Sequence, residues 1–397
     1  MRVLVALPYV AWPPVGGAPV RSWHLLKHLA GRHEVHVLSI VPAGSEPRVP
    51  KGTPSTPPVS FASTTLARVP SGNPPRFSPA WTALRVRSLR HPAAAYYRRS
   101  AARTFRDLVA RVRPDAAVYG FSWMLPYAAH APGTPAVADE HNYDPLVTAR
   151  IAGARRGPDR WKWKVYEQVT SRAEARNLRP VRGIAAVSDE DAAWFRRIAP
   201  HATVDVVPNG VDVQAFAPAE LGTAVVMTGS FTYQPNVDAA RRLAHRIWPL
   251  VRRDVPSAEL RIAGLGSERA LADLAGLAGV TVVGWVDDMR TELLGARVAV
   301  APLDVGGGTR IKILEAFALA RPVVATTLGA EGLKVRNDEH LVLRDDDAGF
   351  AAAVARLLRD DAWAATLGRS GRALVETLYD WRLSAQRFED LVRRVAA

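Results

Sequence analysis

Short runs of apolar and β-branched residues recur along the chain, and segments with helical spacing separate them. Arg2–Leu7, Glu34–Ile40, Ala116–Tyr119, Ala136–Ala138, Gly183–Val187 and Val204–Val207 are short runs rich in β-branched or apolar residues, while Val20–Ala30 and Ala101–Arg111 repeat their apolar residues at helix period. Strands without polar alternation are buried on both faces, so this rhythm predicts βαβ units around a parallel sheet. After Asn209-Gly210-Val211-Asp212 the rhythm restarts. Ala224–Met227, Glu259–Ala263, Val280–Val283, Val298–Ala301, Pro322–Ala325 and His340–Leu343 read as strands, and 237–248, 269–275, 311–319 and 348–358 as helices. The fold class expected is α/β, with two Rossmann-like doubly wound domains at residues 1–207 and 208–375 and a cleft between them. A final helix is expected over 376–397, periodic at Leu378, Leu383, Phe388, Leu391 and Val395.

One stretch breaks the pattern. Ten prolines fall between Pro42 and Pro79, so neither strand nor helix is expected there. A loop of that length is either a binding loop, a lid or a tolerated insertion.

Composition narrows the function classes. The chain of 397 residues is 48% hydrophobic and 23% charged, ordinary for a globular protein. Arg, Asp, Pro or Gly interrupts every apolar stretch before membrane-spanning length, and the absence of cysteine removes disulfides, thiolate metal sites and cysteine nucleophiles. Met1–Leu7 is too short before Pro8 for a signal h-region, so a cytoplasmic protein is expected. The net charge of +14 is unevenly placed. Through Asp212 there are 29 Lys and Arg against 15 Asp and Glu, whereas the remainder holds 23 of each. A GC-rich coding sequence accounts for arginine over lysine but not for that asymmetry. The arginines lie in separate segments with no helix-turn-helix, RRM or zinc pattern, so no nucleic-acid partner is expected.

The densest chemical signal follows Val298–Ala301. Gly306-Gly307-Gly308-Thr309-Arg310-Ile311-Lys312 opens a helix, where free N–H groups and the positive dipole end bind anions, and two cations stand in the first turn. Lys312 and Glu315 are neighbours on one helical face beside the packing stripe of Ile311, Leu314 and Ala318. A plain surface pair is the alternative. Gly264-Leu265-Gly266 starts like a dinucleotide fingerprint but carries Arg269 at the third glycine position, and no GxxxxGK[ST] exists. Gly16-Gly17 follows the first strand, where a missing Cβ lets a diphosphate or sugar approach, or where a plain turn is needed. His141 lies with Asp139, Glu140 and Asn142 just past the carboxyl end of Ala136–Ala138, where α/β sheets place ligands. Asp287-Asp288 and Asp345-Asp346-Asp347 read as helix caps rather than metal ligands, and no metal site is expected.

In order and spacing the sequence resembles the GT-B glycosyltransferases of the retaining family 4 type. Gly16-Gly17, Asp139-Glu140-His141-Asn142, Val207–Asp212, Gly229-Ser230, Gly284-Trp285-Val286-Asp287-Asp288, Gly308–Ala316 and Gly329-Ala330-Glu331-Gly332 carry the likeness, which covers nearly the whole chain. The resemblance implies a nucleoside diphosphate sugar as co-substrate, with no cofactor and no metal. It implies donor contacts at Gly16, Gly17, Gly229, Val286, Gly308, Thr309 and Glu315, and catalytic roles for His141, Arg310 and Lys312. Glu315 would accept from the ribose hydroxyls, and Arg310 and Lys312 would stand at the diphosphate. Two departures stand out: Gly307 occupies the place of the first glutamate of E-x7-E, and Ser230–Pro235 lacks the cations many members carry.

The resemblance also implies an acceptor held by the first domain and a final helix crossing back onto it. A glycan, lipid-linked or natural-product acceptor fits. An epimerase of the same fold, a sugar-nucleotide sensor and a basic nucleic-acid-binding protein are the rival readings. Because many relatives use lipid-linked acceptors, the basic first half suggests peripheral contact with an anionic inner membrane face, at Arg85–Arg90, Arg98-Arg99 and Arg155–Lys164.

Overall fold

The computed structural model describes residues 1–42, 60–69, 96–307 and 310–397. Arg85–Arg90, Gly308 and Thr309 lie outside the described residues. The chain divides into two units, Met1–Pro208 with Ser384–Ala397, and Asn209–Leu383.

The first unit is built on seven parallel strands: β1 (Arg2–Leu7), β2 (Glu34–Pro42), β3 (Ser63–Val69), β4 (Ala116–Gly120), β5 (Ala136–Asp139), β6 (Val181–Ala186) and β7 (Thr203–Val206). Their order is β3-β2-β1-β4-β5-β6-β7. Strand β1 shows why the sequence is apolar throughout: Leu4 and Ala6 enter one core with Phe105 and Tyr119, while Val3 and Val5 enter another on the opposite face. That second core takes Leu25, Leu26 and Leu29 from the helix Gly17–Ala30, together with Phe388, Leu391 and Val392 from the helix Trp381–Ala396. A Cβ at Gly183 in β6 would stand 2.7 Å from Val395, so glycine admits the final helix. That helix is distinct from Asp361–Leu378, with Tyr379 and Asp380 between them, so the single helix expected from 376 is two.

Strand β3 corrects the expectation of a structureless 42–79. The ten prolines leave the stretch from Val59 to Val69 untouched, and its Thr-rich run pairs along β2 from His36↔Ser63 to Pro42↔Val69. Proline bars a strand only where it stands; an edge strand needs one proline-free run with β-forming residues.

The second unit has six parallel strands: β8 (Ala224–Thr228), β9 (Leu260–Ala263), β10 (Val280–Gly284), β11 (Ala296–Ala301), β12 (Val323–Ala325) and β13 (Val342–Leu343). Their order is β10-β9-β8-β11-β12-β13. Val225 and Met227 face one core and Ala224 and Val226 the other, where the helix Ile311–Ala318 inserts Ile313, Leu314 and Phe317. The helix expected over 237–248 is instead a helix Gln234–Arg242, a π turn Leu243–Ile247 and a helix Trp248–Asp254. Pro249 carries no N–H to continue the ladder, which suits a register change at that point. In each sheet the strand order reverses once, between β1 and β4 and between β8 and β11. Loops leaving the carboxyl ends of strands at such a switch point form a ready-made crevice for ligands.

Candidate functional site

The second unit's switch point gathers the charged residues of the Gly306 loop. Strand β11 delivers the loop and the helix Ile311–Ala318, whose N-cap residue is Arg310. Arg310 is 9% exposed, and its Nη1 donates to Gly307 O at 2.5 Å, folding the guanidinium back over the glycines. Gly306 holds φ +141, and a Cβ there would stand 2.9 Å from Arg310 Nη2. Ile313, Leu314 and Phe317 are the buried stripe of this helix, which leaves Lys312 and Glu315 half-buried beside it.

Lys312 does not close on Glu315. Its Nζ donates to Asn236 Oδ1 at 3.0 Å, and Asn236 Nδ2 donates to Ser230 O at 2.8 Å. The ammonium thereby stands at the turn after β8: a Cβ on Gly229 would meet Lys312 Nζ at 3.0 Å. Burial pulls the Lys312 ammonium down to about 7, with Arg310 adding to the shift and Glu315 opposing it. Burial also pushes the Glu315 carboxyl up to about 7, against Lys312 and with Asp288. Two groups that lose and gain a proton near neutrality in one crevice are strongly responsive to an added charge.

The neighbouring loops are braced from below. Gly264 has φ +139, and a Cβ on it would fall 1.8 Å from Gly229 O, so only glycine lets the loop after β9 lie against the Gly229 turn. Glu268 Oε1 accepts from Trp285 N at 3.0 Å and fixes the loop after β10 that carries half-buried Val286. Two residues on, Asp288 caps the helix Met289–Leu294 and binds Arg290, and its charge reaches Glu315. Arg242 ties the approach to the glycine loop: Nη1 donates to Asp304 Oδ1 at 2.5 Å and Nε to Asp347 Oδ1 at 2.7 Å. Asp346 caps Asp347–Arg359 by accepting from Gly349 N. Gly229, Arg310, Lys312, Glu315 and the Val286 loop thus converge. Asn236, Arg242 and Gly264 were not singled out for binding by the sequence; Asn236 had only its place after Pro235 at a helix start as a signal.

The first unit's switch point carries the other candidates. Gly16, at φ +90 with no atom within 4 Å of its Cβ position, precedes Gly17, the first residue of the helix Gly17–Ala30. Fully buried Arg21 on this helix donates from Nε and Nη2 to Asp139 Oδ1 at 2.9 and 2.7 Å and from Nη1 to Val207 O. Burial alone would raise the Asp139 carboxyl, but Arg21 and then His141 outweigh it and hold the group at about 2. His141 is 9% exposed, its Nε2 stands 3.4 Å from Asp139 Oδ2, and its ring stacks on Phe121 at 4.1 Å. Burial lowers the imidazole below its ordinary value, with Asp139 opposing. Phe121 itself takes φ 67, a costly conformation for an aromatic residue, directly after β4. Glu140 points inward near Glu174 and Asp144, and burial raises its carboxyl well above the ordinary range.

Two Rossmann-like units with ligand-suited switch points define the GT-B class of fold, and comparison with known proteins agrees. A model described as Glycosyltransferase Family 4 matches residues 15–215, and one described as Glycosyl transferases group 1 matches 222–360. The chain belongs to glycosyltransferase family 4. It is 36% identical over 219 residues to a phosphatidyl-myo-inositol mannosyltransferase of Mycolicibacterium smegmatis, covering 51% of this chain and 55% of that protein. The matched region thus spans little more than half of that relative's length. A glycogen synthase of Mycobacterium tuberculosis is 30% identical over 97% of this chain and 92% of its own. Among solved structures, sucrose-phosphate synthase from Thermosynechococcus elongatus superposes with TM-score 0.71 at 19% identity, covering 100% of this chain and 99% of that one. Anabaena Alr3699/HepE, solved with UDP, superposes with TM-score 0.67 at 14% identity over 99% and 100% of the two chains.

Proposed function

We propose that this chain transfers a sugar from a nucleoside diphosphate sugar to an acceptor, with retention of configuration and without a metal ion. The observation that carries the reading is the convergence of Arg310, Lys312 and Glu315 at the second unit's switch point in a chain of this family. Glu315 would accept from the ribose hydroxyls. Arg310, Lys312 and the glycine backbone, with Gly308 and Thr309, would hold the diphosphate. A diphosphate beside Lys312 favours its charged form, so the bound complex keeps the ammonium that burial alone would weaken. In transfer the bond from C1 to the phosphate oxygen breaks, the acceptor oxygen bonds C1 on the same face, and the acceptor proton passes to a β-phosphate oxygen. Charge gathers on the leaving diphosphate, where the two cations act. Gly16, Gly17 and His141 would serve the sugar and the acceptor from the first unit. Asp288 and Asp346 are engaged as helix caps, which supports a metal-free reaction.

A panel of UDP-, GDP- and dTDP-sugars scored by thermal shift identifies the donor, since a ligand at 100 times its dissociation constant stabilises by about 2.7 kcal/mol. NMR of the product then reads the anomeric configuration, and inversion overturns the retaining reading. Donor turnover with no acceptor present would favour an epimerase.

The acceptor reading is a membrane-proximal one. The helix Gly157–Asn177 opens with exposed Arg160, Trp161, Lys162 and Lys164 after exposed Arg155 and Arg156, and Trp161 is 70% exposed. Tryptophan among cations suits an anionic lipid surface, each cation adding about 1 kcal/mol. The relatives named as phosphatidyl-myo-inositol mannosyltransferases support this reading. Binding to phosphatidylglycerol vesicles should rise with anionic content, fall with salt and drop in a Lys162→Glu, Lys164→Glu variant. Equal recovery with neutral and anionic vesicles at low salt excludes it.

A further inference from the structure

The turn after β8 lacks the cations that Ser230–Pro235 would carry in many family members, yet a cation stands there. Lys312 reaches it from the other side of the switch point, off the helix Ile311–Ala318, and one side chain determines that reach. Asn236 lies in the first turn of the helix Gln234–Arg242 and is 8% exposed. Its amide has two faces with different partners: Oδ1 accepts from Lys312 Nζ at 3.0 Å, and Nδ2 donates to Ser230 O at 2.8 Å. This arrangement fixes the amide orientation, because a flipped amide would set Nδ2 against an ammonium and Oδ1 against a carbonyl. The backbone turn and the ammonium are therefore held in register by the same group. Gly229 shows how tight the register is, since a Cβ there would fall 3.0 Å from Lys312 Nζ and 3.2 Å from Asn236 Nδ2.

We infer that Asn236 is a positioning residue for the donor site: it aims Lys312 at the Gly229–Ser230 turn and pins the turn's carbonyl out of the way. This rests on the reading of that crevice as the place of the donor diphosphate. A neutral amide suits the task better than a carboxylate. Asn236 accepts one hydrogen bond and leaves the lysine charge uncompensated, so the full cation is available to an anion. An aspartate would spend that charge on an internal ion pair. The charged groups that face Lys312 are Arg310 and Glu315, one of each sign, so the amide's neutrality leaves their balance undisturbed.

The test has one readout that needs no donor and one that does. Competitive acetylation of the full chain across pH 5.5–9.5, followed by mass spectrometry of the Lys312 peptide, reads the proton equilibrium of that amine. Wild type should show its midpoint near neutrality. Asn236→Asp should move the midpoint up by about one pH unit, as an adjacent carboxylate favours the ammonium, and Asn236→Ala should move it down. In parallel, calorimetry with UDP, GDP and dTDP at pH 6 should show about tenfold weaker binding for both variants than for wild type. A variant that merely loosens the fold would lower its melting temperature and expose the lysine, raising the midpoint in Asn236→Ala as well as in Asn236→Asp, and a rise in both overturns the positioning role. An unchanged midpoint in both variants overturns the positioning role. Shifted midpoints in the variants, beside a wild type that binds none of UDP, GDP and dTDP, would keep the Lys312–Asn236 unit and overturn the donor reading instead.

Discussion

Burial of Lys312 and Glu315 carries a cost in stability that depends on pH. Glu315 is raised from its ordinary value to about 7, so its contribution to stability is full below about pH 4.5 and is lost as pH rises to 7. Lys312 is lowered to about 7, so its contribution is absent below that and returns as pH climbs toward its ordinary value near 10.5. The contribution of these two groups should therefore be lowest near neutral pH, so relative to wild type Glu315→Gln should gain most above about pH 7 and little in acid, while Lys312→Met should gain most below about pH 7 and little toward pH 10. Melting temperatures from pH 4 to 10 read this; a difference from wild type that does not vary with pH in either variant would show the two groups are not so placed. Glu315→Gln should also weaken nucleotide binding, whereas Arg310→Ala should slow transfer more than it weakens binding, because leaving-group charge peaks in the transition state. Steady-state kinetics beside calorimetry separate the two. The placement of Arg310, Lys312 and Glu315 at one helix start was legible because a glycine run opens that helix and its packing stripe leaves Lys312 and Glu315 beside it. Gly264 was legible only as a failed fingerprint: its reason, the carbonyl of Gly229 at 1.8 Å from its Cβ position, is a long-range contact that no local pattern encodes. Gly264→Ala should abolish nucleotide binding by displacing that turn, as calorimetry on the folded variant would show.

At the scale of elements, the site is a set of loops held by polar clamps rather than by the sheet alone. Arg242, 9% exposed, joins the loop after β11 through Asp304 to the helix Asp347–Arg359 through Asp347, and its Nη2 donates to Asp345 O. Removing it leaves Asp304 free to carry the glycine loop away. Arg242→Met should raise the KM for donor several-fold with little change in kcat; a variant with wild-type KM would show that the loop holds its place unaided. Nearly all strands were legible because a parallel strand covered on both faces is apolar at consecutive positions. Strand β3 was not, because prolines on either side concealed a proline-free run. The 3₁₀ segment Ser122–His130 was also unforeseen, since Pro126 within it reads as loop.

Over the whole molecule, both sheets were legible, as was the restart near residue 209, because periodicity survives where boundaries do not. The role of the last helix in the first unit's core came from the family resemblance, and the structure supplies its chemistry. Glu389, 1% exposed, accepts from Arg32 Nη1 at 2.8 Å, His28 Nε2 at 2.9 Å and His33 Nε2 at 3.0 Å. Burial would raise this carboxyl, but Arg32, His28 and His33 together hold it below its ordinary value, so its contribution is present at neutral pH and lost on acidification. Burial lowers His33 as well, which adds to the loss as pH falls below about 6.5. Glu389→Gln should destabilise the protein by about 3 kcal/mol at pH 7.5, with the difference narrowing in acid, as urea unfolding would measure. If the second unit's switch point holds a nucleoside diphosphate, hydrogen exchange read by mass spectrometry with and without saturating UDP or GDP will show where it binds. Protection should concentrate in 229–236, 284–288 and 303–319; protection elsewhere with those three segments unchanged would contradict that placement.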